Sequence, residues 1–542
     1  MKPIQLPDIP ATEQTPLVKM LVEIIECLAE RVQQRDEMIG QLKDEIAVLK
    51  GEKKRPIFKP GKMDEQAGKD PQKSSESKKR PGSEKRSKTR QLPIHQEVVI
   101  APAEPIPEHS RFKGYQDYVV QELKIAAENV LYRLACWETP AGEILRGVLP
   151  ESVDGHFGPI LRGHVLYQYR HAHVTQPLLL EQLREGGIDI SSGQINALLT
   201  EGHEAFFEEK QGILRAGLET AGVVTVDDTG ARHQGKNGYS THIGNGCFAW
   251  FESTDSKSRE DFLGLLRAGH EDYRIDGDAL RHMRKRKPPA AIVGRLKNHP
   301  QSLFPDQTQW LNHLRQLGIT AQRHITIATE GALLASAFSH GLNRELVIVS
   351  DDAGQFCVAL LLHALCWIHA ERTIHKLNPL NESHRAVIES VRDQIWTLYA
   401  DLKAYQKHPE EERKAELSTR FDAIFTQKTP FATLNSALQR LHRNKSELLM
   451  VLERPEIPLH TNDSERDIRG LVKKRKVSGG TRSHLGRQCR DTFASAKRTC
   501  RKLGISFWSY LLDRLSGANE IPPLPVLIRR KAEAQSQLAM AF

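Results

Sequence analysis

The clearest hydrophobic pattern along the chain is a seven-residue repeat near the N-terminus. Between residues 17 and 50, nine of ten positions spaced alternately by three and four are apolar and one is Arg35: Val18, Leu21, Ile25, Leu28, Val32, Arg35, Ile39, Leu42, Ile46 and Leu49. This spacing keeps an apolar stripe on one side of a helix that winds around a partner. The pattern predicts a coiled coil over residues 1–50, and hence a homodimer or higher oligomer. A single amphipathic helix packed on its own domain is the alternative.

Residues 112–221 have a mainly helical pattern that contains a candidate helix-turn-helix. Apolar positions predict one helix that ends at Gly186 and Gly187, and a second helix that Ser191 or Ser192 can cap. Two short helices around a glycine turn are typical of DNA-binding helix-turn-helix units. Helical hairpins in ordinary protein cores have the same pattern, so both readings stay open.

From Val223 onward the hydrophobic pattern changes to that of strands. We expect strands at residues 223–226, 239–244 and 247–251, with a hairpin signal at Asn245 and Gly246. A helix at 259–266 is followed by strands at 346–349 and 364–368. This order predicts an α/β fold in which helices cover a mixed sheet, as in RNase H-like proteins.

Composition places the chain among ordinary globular proteins with several folded units. Its 542 residues are 39% hydrophobic and 27% charged, which excludes a wholly disordered or fibrous protein. The N-terminus lacks the apolar core of a signal peptide, and no apolar run is long enough for a membrane span, so we expect no membrane partner. The seven cysteines have no close pairs or regular spacing, which favours a reducing, cytoplasmic compartment.

Positive charge is concentrated in two segments. The chain has a formal net charge of +9, and residues 51–90 alone hold 14 basic and 6 acidic residues. Residues 51–111 therefore read as a flexible basic linker, which is either a solvated tether or an arm that binds nucleic-acid phosphates. The second segment, Arg466 to Lys502, holds 13 basic and 2 acidic residues, and we expect it to contact DNA.

Acidic residues follow two of the predicted strands and recur on a later predicted helix. They are Asp227 and Asp228, Asp351 and Asp352, and then Asp463, Glu465 and Asp467. If such carboxylates converge, they can hold two Mg²⁺ ions for phosphodiester chemistry. Adjacent strand residues point to opposite faces, so only one of each pair can face the same ions. The alternative is that these acids only end strands and cap helices.

Four segments, taken in order, resemble the insertion sequence 66 family of DDE transposases: Asp227–Thr229, Ser256–Arg259, Ser350–Ala353 with Leu365–Ala370, and Thr461–Arg469. The resemblance covers roughly residues 115–515. It implies an RNase H-like catalytic domain in which Asp227, Asp351 and Glu465 are catalytic and jointly hold two Mg²⁺ or Mn²⁺ ions. Asp228 and Asp352 fall where the family does not place its catalytic acids.

The resemblance implies a bacterial DNA transposase that binds the terminal inverted repeats of its insertion sequence, cleaves there and transfers the ends to target DNA. It also implies accessory proteins encoded by the same element and a cytoplasmic location, nucleoid-associated when the protein is bound to DNA. The alternatives are a non-catalytic coiled-coil DNA-binding protein derived from a transposase, or a metal-dependent nuclease. No zinc is expected where the family often has a cysteine-rich segment, since no cysteine lies between Cys27 and Cys136.

Further residues are candidates for supporting roles. The pair Cys366 and His369 lacks two ligands of a zinc site, and by resemblance to several DDE families we expect these residues, with Asn462, to support the active site. Buried packing is the alternative for the pair. No role is assigned to the basic insert at 281–300 beyond DNA contact or a solvated loop. The candidate DNA-binding residues are Arg259, Arg466, Arg469, Lys473, Lys474, Arg475, Lys476 and Arg482.

The predicted domain organisation follows from these patterns. It consists of a coiled coil at 1–50, the basic linker at 51–111, the mainly helical region at 112–221, the catalytic domain at 222–515 with insertions at about 268–325 and 380–452, and a tail at 516–542.

Overall fold

The computed structural model describes residues 93–116, 118–150 and 155–540, together with scattered positions between 15 and 28. Within the heptad repeat, Val18, Leu21, Ile25 and Leu28 are described and are helical. The other heptad positions and linker residues 51–92 lie outside the described residues. The coiled coil therefore stays a prediction, as does the role of the linker.

The chain divides into two compact units. One unit comprises residues 34–128, and its described residues, 93–116 and 118–128, form no helix or strand. The other unit comprises residues 1–33 and 129–542 and contains the elements described below. Among the described residues, no helix combines the length and the apolar character that a membrane crossing requires.

Among the described residues of the region predicted to be mainly helical, helix begins at Pro159. Before it lies a short hairpin of β1 (Cys136–Glu138) and β2 (Ile144–Arg146). The helices are α1 (Pro159–Leu166), a π-helical turn (Tyr167–His171), α2 (Gln176–Glu185), α3 (Ser192–Thr200) and α4 (Glu204–Thr220). Apolar side chains before the hairpin, such as Leu123 and Leu131, are exposed. Helices depend mostly on packing of an apolar face, which these residues lack.

Helices α2 and α3 form the predicted helical pair. The backbone N–H of Ile188 donates to the carbonyl of Leu183 at 2.9 Å, which closes the end of α2. Ser191 caps α3 and exchanges hydrogen bonds with Gln194 in a capping box. The first turn of α3 is exposed, as a helix that contacts DNA would require.

The next elements run from the first long strand to the end of a helical insert. They are β3 (Val223–Gly230), β4 (Tyr239–Gly244), β5 (Ala249–Thr254), α5 (Arg259–Leu266), β6 (Tyr273–Arg274), α6 (Gly277–Lys285), α7 (Ala290–Lys297), β7 (Leu303–Phe304), α8 (Gln307–Gln316) and α9 (Gln322–Ser339). Strands β6 and β7 pair with each other within the insert. The basic segment around residues 281–300 thus lies largely in α6 and α7.

The remaining elements complete the sheet and add a second helical insert. They are β8 (Val347–Ser350), β9 (Leu362–Leu365), α10 (Trp367–His375), α11 (Glu382–Tyr405), α12 (Glu411–Thr426), α13 (Ala432–Arg443), α14 (Lys445–Leu448), α15 (Asn462–Ser478), α16 (His484–Leu503), α17 (Phe507–Ser516) and α18 (Leu524–Met540). Helices α11 to α14 share a hydrophobic cluster with α10, separate from the main core.

Five of these strands form one mixed sheet in the order β5-β4-β3-β8-β9. The first three strands are antiparallel, and β3, β8 and β9 are parallel. Helix α16 covers the edge strand β5, where Ser495 Oγ accepts from the backbone N–H of Phe251 at 2.9 Å. This architecture agrees with the predicted mixed sheet covered by helices.

Four of the five predicted strands have different bounds in the structure, and two of these differences bear on the candidate site. Strand β3 continues past residue 226 to Gly230, because Asp227 to Gly230 pair with β4. The strand expected at 364–368 spans Leu362–Leu365 instead, and Cys366 caps the helix α10 that follows. Asp227 therefore lies inside the ladder with β4, but beyond the last residue of β3 that pairs with β8, Thr225.

Candidate active site

Asp227 lies on β3, and Asp351 directly follows the last residue of the neighbouring parallel strand β8, so the two acids are at the same end of the sheet. Asp227 Oδ1 accepts a hydrogen bond from the backbone N–H of Asp228 at 2.7 Å, and Asp351 Oδ1 accepts from that of Ala353 at 3.2 Å. Burial raises the pKa of Asp227 to about 6; the N–H of Asp228 acts in the opposite direction, while the negative charge of Asp351 adds to the increase. The two carboxyl groups are close enough to repel each other.

Glu465 reaches the same place from the first turn of α15. Ser464 Oγ donates to Thr225 Oγ1 at 2.6 Å, and this buried hydrogen bond holds α15 against β3. A Glu465 carboxylate oxygen lies 3.7 Å from His369 Nε2 and 3.9 Å from an Arg372 guanidinium nitrogen. His369 also interacts electrostatically with Asp227 and Asp351. The structure thus brings the three sequence-predicted acids together around His369.

The three carboxylates are not in contact as ligands of a single ion would be. Among the described residues, two groups of potential ligands have all their ligand atoms within 4.8 Å of one another. Asp227, Asp351 and Glu465 do not form such a group. Repulsion between the negative charges favours separation of the three carboxylates. The arrangement is an acidic cluster at the end of the sheet.

The acids adjacent to Asp227 and Asp351 have protein partners. Asp228 pairs with Lys257 and accepts from Gln355 Nε2 at 2.9 Å. Asp352 accepts from Arg440 Nε at 3.1 Å. Each of these two acids therefore has a cationic partner of its own.

The two other acids of α15 also have protein partners. Asp463 is exposed and lies 3.2 Å from Arg466. Burial acts to raise the pKa of Asp467, but His242 and Lys502 lower it to about 2. Lys502 Nζ lies 2.9 Å from the Asp467 carboxylate, on the side of α15 that faces α16. Glu465 is therefore the acid of this helix that faces Asp227 and Asp351.

The predicted support residues lie beside the acids. Cys366 is buried at the start of α10, and burial alone would raise the pKa of its thiol. Hydrogen bonding with His369, with a contribution from Thr461, lowers that pKa instead, and the same bond raises the pKa of His369. Asn462 is the first residue of α15. Cys366 thus lies beside the histidine that contacts the acidic cluster.

The predicted DNA-binding residues divide into three kinds of environment. Arg259 has little exposure and contacts Glu330 at 3.1 Å, and Arg475 donates to the carbonyl of Gly230 at the end of β3. Lys474 is half-buried and lies over the ring of Tyr169 at 3.4 Å. The exposed members are Arg466, Arg469, Lys473, Lys476 and Arg482.

Lys474 belongs to a basic pocket that sequence reasoning missed. Lys497 lies beside it and donates to the carbonyl of Arg170 at 3.4 Å. Lys474 Nζ and Arg170 Nε are buried, and neither has a hydrogen-bond partner among the described residues. Burial, and then the charges of Arg170 and Lys497, lower the pKa of Lys474 to about 7. The lining comes from segments more than 300 residues apart in sequence, which no local motif could reveal.

Comparison with known proteins adds the family. A family model described as the transposase IS66 family matches residues 347–488, a segment that contains Asp351, Cys366, His369 and Glu465. The chain is also 44% identical over 323 residues to an uncharacterized protein, y4jO, from Sinorhizobium fredii (strain NBRC 101917 / NGR234). That match covers 59% of this chain and 100% of the relative. The chain is thus of the transposase class, and it belongs to the IS66 family, which confirms the resemblance stated above.

Proposed function

We propose that this protein is a DNA transposase that binds the ends of its insertion sequence and catalyses metal-dependent cleavage and strand transfer. In this proposal the mixed sheet and its covering helices are an RNase H-like catalytic domain. The observation that carries the proposal is the convergence of Asp227, Asp351 and Glu465 at one end of the sheet. Family membership supports the same function.

The acidic cluster suits a pair of Mg²⁺ or Mn²⁺ ions. All three donors are carboxylates, the oxygen ligands that these ions prefer. The raised pKa of Asp227 reflects buried negative charge, which a divalent cation would offset. Asp227, Asp351 and Glu465 would hold the ions. When bound, such ions activate the attacking oxygen and stabilise the leaving one.

Neighbouring protein groups hold the acids in place. His369 and Arg372 lie next to the Glu465 carboxylate and limit its orientations. Cys366 lies beside His369, and the interaction between the two raises the pKa of His369. The hydrogen bond between Ser464 and Thr225 sets the position of α15 on the sheet.

We assign DNA binding to the basic pocket, to the exposed cations of α15 and to the exposed start of α3. Phosphates favour clusters of lysine and arginine, and an anion in the pocket would offset the charges that lower the pKa of Lys474. Buried cations without hydrogen-bond partners, such as Lys474 Nζ, offer donors that a phosphate oxygen can satisfy. Partners would be the terminal repeats, the target DNA and proteins encoded by the same element.

The first test is Mg²⁺-dependent cleavage of a duplex that carries the element's own terminal repeat. We expect the wild-type protein to cleave at the repeat. We expect Glu465→Gln, which removes the charge and keeps the shape, to lose several kcal/mol of transition-state stabilisation, roughly a thousandfold in rate. Asp352→Asn is the matched control and should retain cleavage, because Asp352 pairs with Arg440 instead.

The alternatives give different outcomes in the same assay. Equal cleavage of repeat and unrelated DNA would favour a metal-dependent nuclease. Repeat binding without cleavage by any of the proteins, with the element's accessory proteins added, would favour a non-catalytic DNA-binding protein.

A further inference from the structure

A chain of polar contacts connects the backbone of Asp351, at the end of β8, to His363 on β9 and Glu447 on α14. His363 on β9 is 8% exposed, and its Nε2 lies 2.7 Å from Ser350 Oγ. The Ser350 hydroxyl donates to the carbonyl of Asp351 at 2.6 Å. Since a serine hydroxyl has one hydrogen, Ser350 Oγ accepts from His363, and the imidazole carries its hydrogen on Nε2.

The other ring nitrogen of His363, Nδ1, therefore has no hydrogen and directs its lone pair at a carboxylate. His363 Nδ1 lies 3.3 Å from Glu447 Oε1, and two acceptors meet there unless a cation lies between them. That cation is either a second proton on the ring or a metal ion. A charge-assisted N–H···O bond is usually about 2.7–2.9 Å long. Two ligands of a tetrahedral zinc, each about 2.0 Å from the metal, are about 3.3 Å apart. The observed separation fits two ligands of one metal ion, but it is also close to the 3.2 Å between His282 Nε2 and Glu330, so a third ligand has to decide between the two.

A thiol completes the group. The Sγ of Cys357, in the loop between β8 and β9, lies with His363 and Glu447 in a set whose ligand atoms are all within 4.8 Å of one another. Burial, followed by the negative charge of Glu447, raises the pKa of the Cys357 thiol. Among the described residues, no lysine or arginine lies within ion-pair distance of Glu447. The charges of Arg259 and Arg286 act to lower the pKa of this thiol, but burial and Glu447 outweigh them, so a cation between the thiol and Glu447 would be favoured.

We propose that Cys357, His363 and Glu447 bind one divalent transition-metal ion, for which zinc is the best match. Sulfur, nitrogen and carboxylate oxygen are zinc ligands, and three protein ligands leave one tetrahedral position for water. Binding displaces the thiol proton to solvent. A hydrogen bond from the second ring nitrogen, here to Ser350, is typical of metal-binding histidines. The ion would fix the Ser350–Asp351 backbone through His363. The proposed metal site is separate from the acidic cluster.

A second group of potential ligands, His270, Asp272 and His340, has a different character. His340 Nε2 lies 2.7 Å from Asp272 Oδ1, the length of an ordinary hydrogen bond. The two imidazole rings are stacked 3.5 Å apart. This group contains no sulfur, so a spectroscopic signal from thiolate distinguishes the two.

The test is Co²⁺ binding to the full-length protein in excess Mg²⁺, which occupies oxygen sites and competes poorly for sulfur. We expect one equivalent of Co²⁺ to produce a thiolate-to-cobalt absorption band that Zn²⁺ removes. Cys357→Ser should abolish the band and weaken zinc binding at least about 100-fold. Cys136→Ser, which alters another exposed cysteine, should leave both unchanged.

A further variant tests the carboxylate. Glu447→Gln should keep the band and weaken Co²⁺ binding, with circular dichroism to confirm folding. The proposal is overturned if Cys357→Ser keeps the band, which would place the thiolate elsewhere. It is also overturned if the wild-type protein gives no band, which would mean that a proton occupies the contact between His363 and Glu447. Neither result depends on DNA cleavage, so the proposed transposase activity stands or fails separately.

Discussion

At the scale of single residues, the charged form of the Asp227 carboxylate lowers the free energy of unfolding. Its pKa is raised from 3.8 to about 6, so the folded protein binds this proton more tightly than the unfolded chain does. The contribution of this group to stability is therefore fully present below pH 4, and it is lost as the pH rises through about 6.

Asp227→Asn should consequently stabilise the protein in metal-free buffer. We expect the free energy of unfolding at pH 7 to rise by about 1–3 kcal/mol, and the gain to disappear near pH 4. Urea denaturation between pH 4 and 7, with a chelator present, measures this. Asp228→Asn is the control and should give no gain, because it removes the partner of Lys257. A gain for Asp227→Asn that does not change with pH would contradict the assignment.

Residue patterns and the family resemblance predict which acids are catalytic, but not what surrounds them. The sequence predicts that one of each adjacent pair faces the site, and the partners of the other become visible only when Lys257 and Arg440 are placed in space. No sequence motif contains Cys357, His363 and Glu447 together, because Glu447 follows His363 by 84 residues. Sites built from distant segments leave no local signal.

At the scale of elements, apolar runs located strands better than they located strand ends. Strand β3 is longer than its apolar run because the polar residues from Asp227 onward pair with β4 through the backbone. Helix prediction failed over residues 112–116 and 118–135, where apolar residues such as Tyr118 and Leu123 are exposed. Periodicity reports which face a helix could bury, and it does not report whether anything packs there.

A buried cluster of charges holds helices α5, α6 and α9 together. Glu330 is 2% exposed and contacts Arg259 at 3.1 Å, His282 at 3.2 Å and Arg286 at 3.4 Å. Breaking a buried ion pair on one side leaves uncompensated charge, which costs about 3–5 kcal/mol. This network gives Arg259 and part of the basic insert a structural role.

Glu330→Gln should therefore lower the free energy of unfolding by about 3–5 kcal/mol, as measured by urea denaturation. Glu382→Gln is the control, because it removes an exposed partner of Arg385 and should cost less than about 1 kcal/mol. Equal effects of the two changes would show that the Glu330 cluster contributes no more than a surface ion pair.

At the scale of the whole molecule, the net charge is concentrated in the segment that follows the predicted coiled coil. Residues 51–90 contribute +8 of the net charge of +9, so the rest of the chain is nearly balanced. Its basic surfaces are therefore local features of the fold. Transposition joins two ends of an element, and a paired N-terminal helix would supply one catalytic domain for each end.

Deletion of residues 1–50 should reduce the molar mass in solution by at least half, measured by light scattering. The physical reason is the apolar stripe, of which Leu21, Ile25 and Leu28 are 49%, 37% and 53% exposed in a single chain and would be covered by a partner helix. Leu28→Asp should act like the deletion, because it places a charge in the stripe. Glu30→Gln, on the outer side of the heptad, should leave the mass unchanged. An unchanged mass after both the deletion and Leu28→Asp would mean that the helix packs on its own chain, and that the two ends of the element are paired by another surface.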